Sequence, residues 1–80
     1  MTRTEPAHDY RILVEGAMEP AWSECLAGLV IVVDEQSGQP LVSVLSGKLP
    51  DQAALYGVLN TLYMLNLPIL LVERRPRTDQ

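Results

Sequence analysis

The chain has 80 residues, 48% of them hydrophobic, a formal net charge of −4 and one cysteine. This length makes one small domain, and the apolar content excludes disorder throughout. The acidic balance argues against a general nucleic-acid binder, which normally presents a basic surface. We expect a cytoplasmic protein, because a lone cysteine favours a reducing compartment and residues 1–8 lack the apolar run of a signal peptide.

Three strands are expected in the first part of the chain. Residues 1–9 indicate a flexible leader, and residues 10–15 alternate apolar and polar side chains as a half-buried strand does. Residues 28–35 are β-branched and continuous, which predicts a strand buried on both sides. A turn at residues 36–38 then leads into a returning strand at residues 40–46, so these two strands form a hairpin.

A short helix of about two turns is expected between the first and second strands. Pro20 can open it, and at α-helical spacing Trp22, Cys25 and Leu26 share one apolar face. We expect Trp22 to be largely buried, anchoring this helix on the sheet, and Cys25 to be a small buried hydrophobe.

The longest uncharged segment of the chain predicts a second, longer helix. Pro50 suits its first position, Asp51 follows in the first turn, and Asn66 is a left-handed cap before Pro68. One apolar stripe runs along it with Leu59 at its centre, and its members are Leu55, Val58, Leu59, Leu62 and Leu65.

The element order predicts an α+β fold. A last strand is expected at residues 67–73, so the order is β-(short α)-β-β-α-β within a domain at residues 10–74, before a polar tail at 75–80. This order favours an antiparallel four-stranded sheet in the ferredoxin-like arrangement. If residues 16–27 are too short to cross a strand, the alternative is a meander of three strands plus one crossover.

The outward face of the long helix carries no Lys, Arg, Asp or Glu. Aromatic and Met side chains are enriched at interface cores, so this face is a candidate partner contact; its residues are Tyr56, Asn60, Tyr63 and Met64. The alternative is an ordinary wet surface. A membrane span is disfavoured, because polar Asn60 and Pro68 interrupt the uncharged run.

Apolar residues on both faces of two strands predict self-association. The helices can cover only one face of a sheet, and we expect a homodimer or higher oligomer to bury the other. The candidate oligomer face comprises Leu13, Val30, Val32, Leu70 and Val72, joined by either Val42 and Val44 or Leu41 and Leu45.

Catalytic and cofactor chemistry have few candidate residues. His8 lies in the leader, Cys25 has no nearby basic residue in sequence, and the glycines never cluster into a phosphate loop. Asp51 and Gln52 are explained as groups at a helix N-terminus. We therefore expect a protein that is not an enzyme, with no metal and no cofactor.

Residues 47–59, reading G-K-L-P-D-Q-A-A-L-Y-G-V-L, resemble small uncharacterised bacterial proteins that carry a G-x-L-x-D-Q-A-A-L-H-G-L-L element. The resemblance extends over about residues 10–73 and implies a fold but no activity. Tyr56 stands where those proteins have His, and Thr61, Tyr63 and Met64 stand near their charged positions. The departures leave this helix face less charged.

Two functions remain open on the sequence. The leading hypothesis is an interaction or regulatory module that works as a homo-oligomer, its partner being itself and a possible second protein. The alternative is a small-molecule-binding domain with a pocket between sheet and helix near Trp22 and Tyr56.

Overall fold

Strand pairing organises the protein into one sheet and one helical layer. The computed structural model describes residues 7–35 and 41–75. Its elements, in chain order, are β1 (His8–Glu15), a 3₁₀ helix (Pro20–Leu26), β2 (Val30–Asp34), β3 (Val42–Leu49), α1 (Gln52–Met64) and β4 (Ile69–Arg75). The four strands form an antiparallel sheet in the order β2-β3-β1-β4.

The strand order decides between the two arrangements that the sequence allowed. β1 pairs with β3 on one side and β4 on the other, while β2 pairs with β3. The chain between β1 and β2 therefore crosses β3, which confirms the preferred order and rules out the meander. The expected turn at residues 36–38 lies outside the described residues. β1 starts at His8 and is therefore longer than the sequence suggested, whereas β4 has the expected length but lies two residues later, at Ile69–Arg75.

The core lies between the helical layer and one face of the sheet, which we call the inner face. In the middle of this face Ile31, Leu45 and Ile12 stand opposite one another and are buried. The helical layer contributes Leu26 and three residues of α1. The α1 residues are Leu55, Val58 and Leu62, and the other members of the core are Tyr10, Val14, Met18, Leu29 and Leu49.

The helix α1 begins and ends through specific hydrogen bonds. Asp51 is the N-cap, and its carboxylate accepts a bond from the Ala54 N–H at 2.9 Å. Pro50 therefore precedes the cap instead of occupying the first helical turn. At the other end Asn66 has a φ of 61°, as expected for a left-handed cap. The Leu67 and Asn66 N–H groups donate to the carbonyls of Leu62 and Tyr63, which together make a Schellman motif.

The predicted apolar stripe of α1 faces the core, but its centre lies one turn later than expected. Val58 and Leu62 are buried, whereas Leu59 is only partly buried. The core contact therefore depends most on Leu62, whose side chain has no exposed surface.

The segment after β1 forms a 3₁₀ helix, and this overturns two expectations. Residues three apart align along a 3₁₀ helix, so Ser23 and Leu26 lie on the inward ridge, while Trp22 and Cys25 align on another. Leu26 is buried, but Trp22 is 39% exposed and Cys25 is exposed. The predicted shared face of Trp22, Cys25 and Leu26 was therefore wrong, because it assumed α-helical spacing.

The two strands that were expected to be apolar on both faces, the first of them buried on both sides, are open in the single chain. On β2, Val30 and Val32 are 58% and 56% exposed, while Ile31 between them is buried. Every residue of β4 is exposed. α1 and the 3₁₀ helix lie on the same side of the sheet, so neither covers Val30 and Val32. β4 is an edge strand over which neither helix packs extensively, so its residues are exposed on both faces.

A buried serine fixes the connection that leaves β1. Ser43, with no exposed surface, accepts a hydrogen bond from the Met18 N–H at 2.9 Å and donates to the Gly16 carbonyl. These bonds satisfy two backbone groups that the turn would otherwise bury without partners. Sequence reasoning missed this residue, because a single serine in a strand carries no pattern.

Leu62→Ala should cost about 2–5 kcal/mol of unfolding free energy, the range for a fully buried leucine. Leu59→Ala is the matched control and should cost clearly less, because Leu59 keeps part of its surface in water. Denaturant titration followed by circular dichroism measures both values. An equal or larger loss at Leu59 would contradict the described orientation of α1.

Ser43→Ala should cost about 1–3 kcal/mol, because it leaves the Met18 N–H and the Gly16 carbonyl without partners. Ser46→Ala on the same strand, a half-buried position of the opposite face, should change stability by less than about 0.5 kcal/mol. Thermal or denaturant unfolding compares the pair. Equal losses would show that the serine hydroxyl does not hold the turn.

Candidate functional site

Four apolar side chains form a row across the side of the sheet that the helices leave uncovered, which we call the outer face. The register places Val32 opposite Val44, Val44 opposite Leu13, and Leu13 opposite Leu71. Directly opposite residues of an antiparallel pair project to the same face. The row therefore spans all four strands without interruption.

Two more valines widen this row into a patch. Val30 lies two residues before Val32 on β2, and Val42 lies two residues before Val44 on β3, so both project outward. We call the six residues the outer apolar band; they are Leu13, Val30, Val32, Val42, Val44 and Leu71. Three of them are exposed and three are half-buried in the single chain.

The band includes Leu13, Val30 and Val32 of the predicted oligomer face, but the register places the β4 residues differently. Val72 stands opposite Ile12, which is buried on the inner face, so Val72 belongs to the helical side. Leu70 lies at a register irregularity between β1 and β4, and Leu71 occupies the outer position instead. Of the two predicted β3 pairs, Val42 and Val44 face outward, while Leu45 is buried in the core.

Charged residues surround the outer apolar band in nearly balanced numbers. Arg11 and Glu73 stand opposite each other on β1 and β4, with Arg11 Nε 3.3 Å from Glu73 Oε1. This contact lacks hydrogen-bond geometry, and Arg11 Nε is a buried atom without a hydrogen-bond partner. Since both side chains are more than two-fifths exposed, this ion pair adds little stability by itself.

The predicted partner-contact face of α1 is exposed to solvent. Tyr56, Asn60, Tyr63 and Met64 are all exposed, and Tyr63 reaches 74%. They lie on the opposite side of α1 from Val58 and Leu62, as the helical spacing required. The partner-contact face points away from the sheet, on the far side of α1. It is therefore separate from the outer apolar band.

The predicted pocket residues do not come together. Trp22 lines an open hollow of about 480 Å³ beside the end of α1, and Tyr56 is not among its lining residues. The other residues around the hollow are Ala17, Met18, Glu19, Leu65 and Leu67. A ligand in this hollow would contact Trp22 but not Tyr56.

The residues of the G-x-L-x-D-Q element have structural roles. Gly47 has a φ of 151°, and a Cβ there would lie 3.0 Å from the Leu29 side chain. Asp51 caps α1, and the amide of Gln52 lies 3.3 Å from the hydroxyl of the buried Tyr10, as its hydrogen-bond donor. These contacts join α1 to the sheet. They give Gly47, Asp51 and Gln52 structural roles that involve no ligand.

Groups with catalytic or metal-binding potential are scattered. His8 packs edge-on against Tyr10, and Cys25 is exposed on the 3₁₀ helix. Within residues 7–35 and 41–75, no three His, Cys, Asp or Glu side chains are placed to hold a metal ion. The same part of the chain contains no helix with the length and apolar character that a membrane span requires.

Comparisons with known proteins give one family. Neither the curated proteins nor the solved structures include a match to the chain. The family model described as Domain of unknown function (DUF8691) matches residues 9–73, which run from β1 into β4. The chain therefore belongs to the DUF8691 family.

Proposed function

We propose that the protein is a small, non-enzymatic interaction module that works as a homo-oligomer, with the outer apolar band as its self-association surface. The observation that supports this most is the unbroken row of Val32, Val44, Leu13 and Leu71 across the uncovered face. Monomeric proteins rarely expose a contiguous apolar patch of more than a few hundred Å². A second copy of the chain would remove this patch from water.

The charges around the band favour a second copy as the occupant. The outer face carries three basic and four acidic residues, so it is close to neutral on a chain whose net charge is −4. Two such faces can approach without the repulsion that the whole chain would otherwise impose. The seven residues are Asp9, Arg11, Glu15, Asp34, Lys48, Glu73 and Arg75.

The small size of the domain also favours association. A chain of about 80 residues buries a modest fraction of its surface and is marginally stable alone. Isologous contact about a two-fold axis is the commonest way for such a chain to gain buried area. The exposed Cys25 suits a reducing compartment, so the cytoplasm is the proposed location.

The uncharged face of α1 supplies a place for a different protein partner. Its residues Tyr56, Tyr63 and Met64 are of the types enriched at interface cores, and they remain exposed when the outer face is covered. A dimer would therefore present two copies of this helix face to a protein partner.

Val32→Asp should dissociate the oligomer, because it places a carboxylate in the apolar row that the interface would bury. We expect the parent chain to show at least twice its monomer mass of 8.9 kDa and the variant to approach 8.9 kDa. The dissociation constant should rise by about a hundredfold or more, which corresponds to about 2.7 kcal/mol. Light scattering after size exclusion measures the masses.

Ala53→Asp is the matched control, since Ala53 is exposed on α1 away from the outer face. Its mass should equal that of the parent, and circular dichroism should show that both variants fold. A parent chain that stays monomeric at high micromolar concentration would contradict the proposal. So would a folded Val32→Asp variant with the parent's mass.

A second candidate function is small-molecule binding in the hollow beside Trp22. The half-exposed indole and the apolar Leu65 and Leu67 offer contact area, and Glu19 adds one acidic group. Pockets that bind metabolites combine apolar walls with a few polar groups in this way. The hollow is open to solvent, which is why this function ranks second.

The single tryptophan makes this second function directly measurable. A ligand in the hollow should shift or quench Trp22 emission and raise the melting temperature in a metabolite screen. We expect neither a change in Trp22 emission nor a rise in melting temperature for the parent oligomer. If the parent chain is a monomer, and one ligand class raises its melting temperature and changes Trp22 emission, small-molecule binding becomes the better-supported function.

A further inference from the structure

Opposite charges flank the outer apolar band on its central strand. Glu15 and Arg11 each lie two residues from Leu13 on β1, in opposite directions, and all three project to the outer face. The acidic and basic residues are therefore placed symmetrically about the apolar row. On β1 this pattern is complementary to a copy of itself that has been turned end over end.

We propose that two copies pack outer face to outer face about a two-fold axis that runs along the apolar row, so that their strands are antiparallel. This inference rests on the proposed self-association. The axis places each residue of the row over the same residue of the other copy. It also places Glu15 of one protomer over Arg11 of the partner subunit, twice in the dimer.

The distances permit this contact. Packed sheets lie about 10 Å apart, and the extended side chains of glutamate and arginine together span about that separation. The two residues lie about 6–7 Å from the axis along the strand, at about 3.3 Å per residue. The usual angle of about 30° between packed sheets displaces them by only a few ångströms.

The state of Arg11 supports the same arrangement. Its Nε is buried and has no hydrogen-bond partner, and its contact with Glu73 is an ion pair without hydrogen-bond geometry. A guanidinium has five N–H donors and can serve two carboxylates at once. Glu15 of the partner subunit would supply the second carboxylate, so Arg11 would lie between two acceptors in a drier environment.

The other simple two-fold axis, parallel to the strands, gives a poorer fit. It would place β1 over β3 of the partner subunit at the same level of the sheet. Glu15 would then face Val42 of the partner subunit, and Arg11 would face Ser46 of the partner subunit. Both charges would lose water without gaining an opposite charge, which is unfavourable.

A charge exchange between two variants tests the antiparallel arrangement. The first variant is Glu15→Arg. The second is Arg11→Glu with Glu73→Arg, which keeps the ion pair within the chain and reverses its direction. Each variant alone should self-associate at least about tenfold more weakly than the parent, because both contacts of its homodimer become repulsive.

The equimolar mixture should recover the parent mass as a heterodimer, since both of its Glu–Arg contacts are attractive. Native mass spectrometry distinguishes the heterodimer from the two homodimers, and circular dichroism confirms that each variant folds. An oligomeric parent whose variants associate unchanged, or whose mixture shows no heterodimer preference, would overturn the antiparallel axis and leave the proposed function standing. A monomeric parent would overturn both.

Discussion

The structure depends on one constraint: side chains of a β-strand alternate between two faces, and the helices of the described residues lie on only one of them. α1 and the 3₁₀ helix lie on the inner face, where Ile12, Leu45 and Leu62 lose all contact with water. The hydrogen bonds of Ser43 hold the chain on that side as it leaves β1. The outer face is left with an apolar row that no part of residues 7–35 and 41–75 covers.

Regular periodicity made much of this fold predictable. The stripe from Leu55 to Leu65 repeats at helical spacing, so both the helix and its buried face could be read from the sequence. Alternation did the same for β1, placing Leu13 on the face opposite Ile12. The outer positions of Val30 and Val32 followed once the helices were assigned to one side. The candidate surface was therefore predictable where strands had a clear pattern.

Features set by local geometry could not be predicted in the same way. The 3₁₀ helix changes which residues align, and nothing in Trp22, Cys25 and Leu26 distinguishes its spacing from that of an α-helix. On β4 the run Ile69 to Val72 is apolar at every position, so its sequence does not indicate which residues face outward. The Schellman motif and the register irregularity near Leu70 decide that orientation.

The proposed role of the protein depends on the outer apolar band being an interface between copies of this chain. The most direct test is an isotope-filtered nuclear Overhauser experiment on a mixture of methyl-labelled and unlabelled chains at high concentration. If the band is this interface, intermolecular signals come from the methyl groups of Leu13, Val32 and Val44, and none come from Val58 or Leu62, which are buried within the chain. Intermolecular signals confined to α1, or absent altogether, would contradict it.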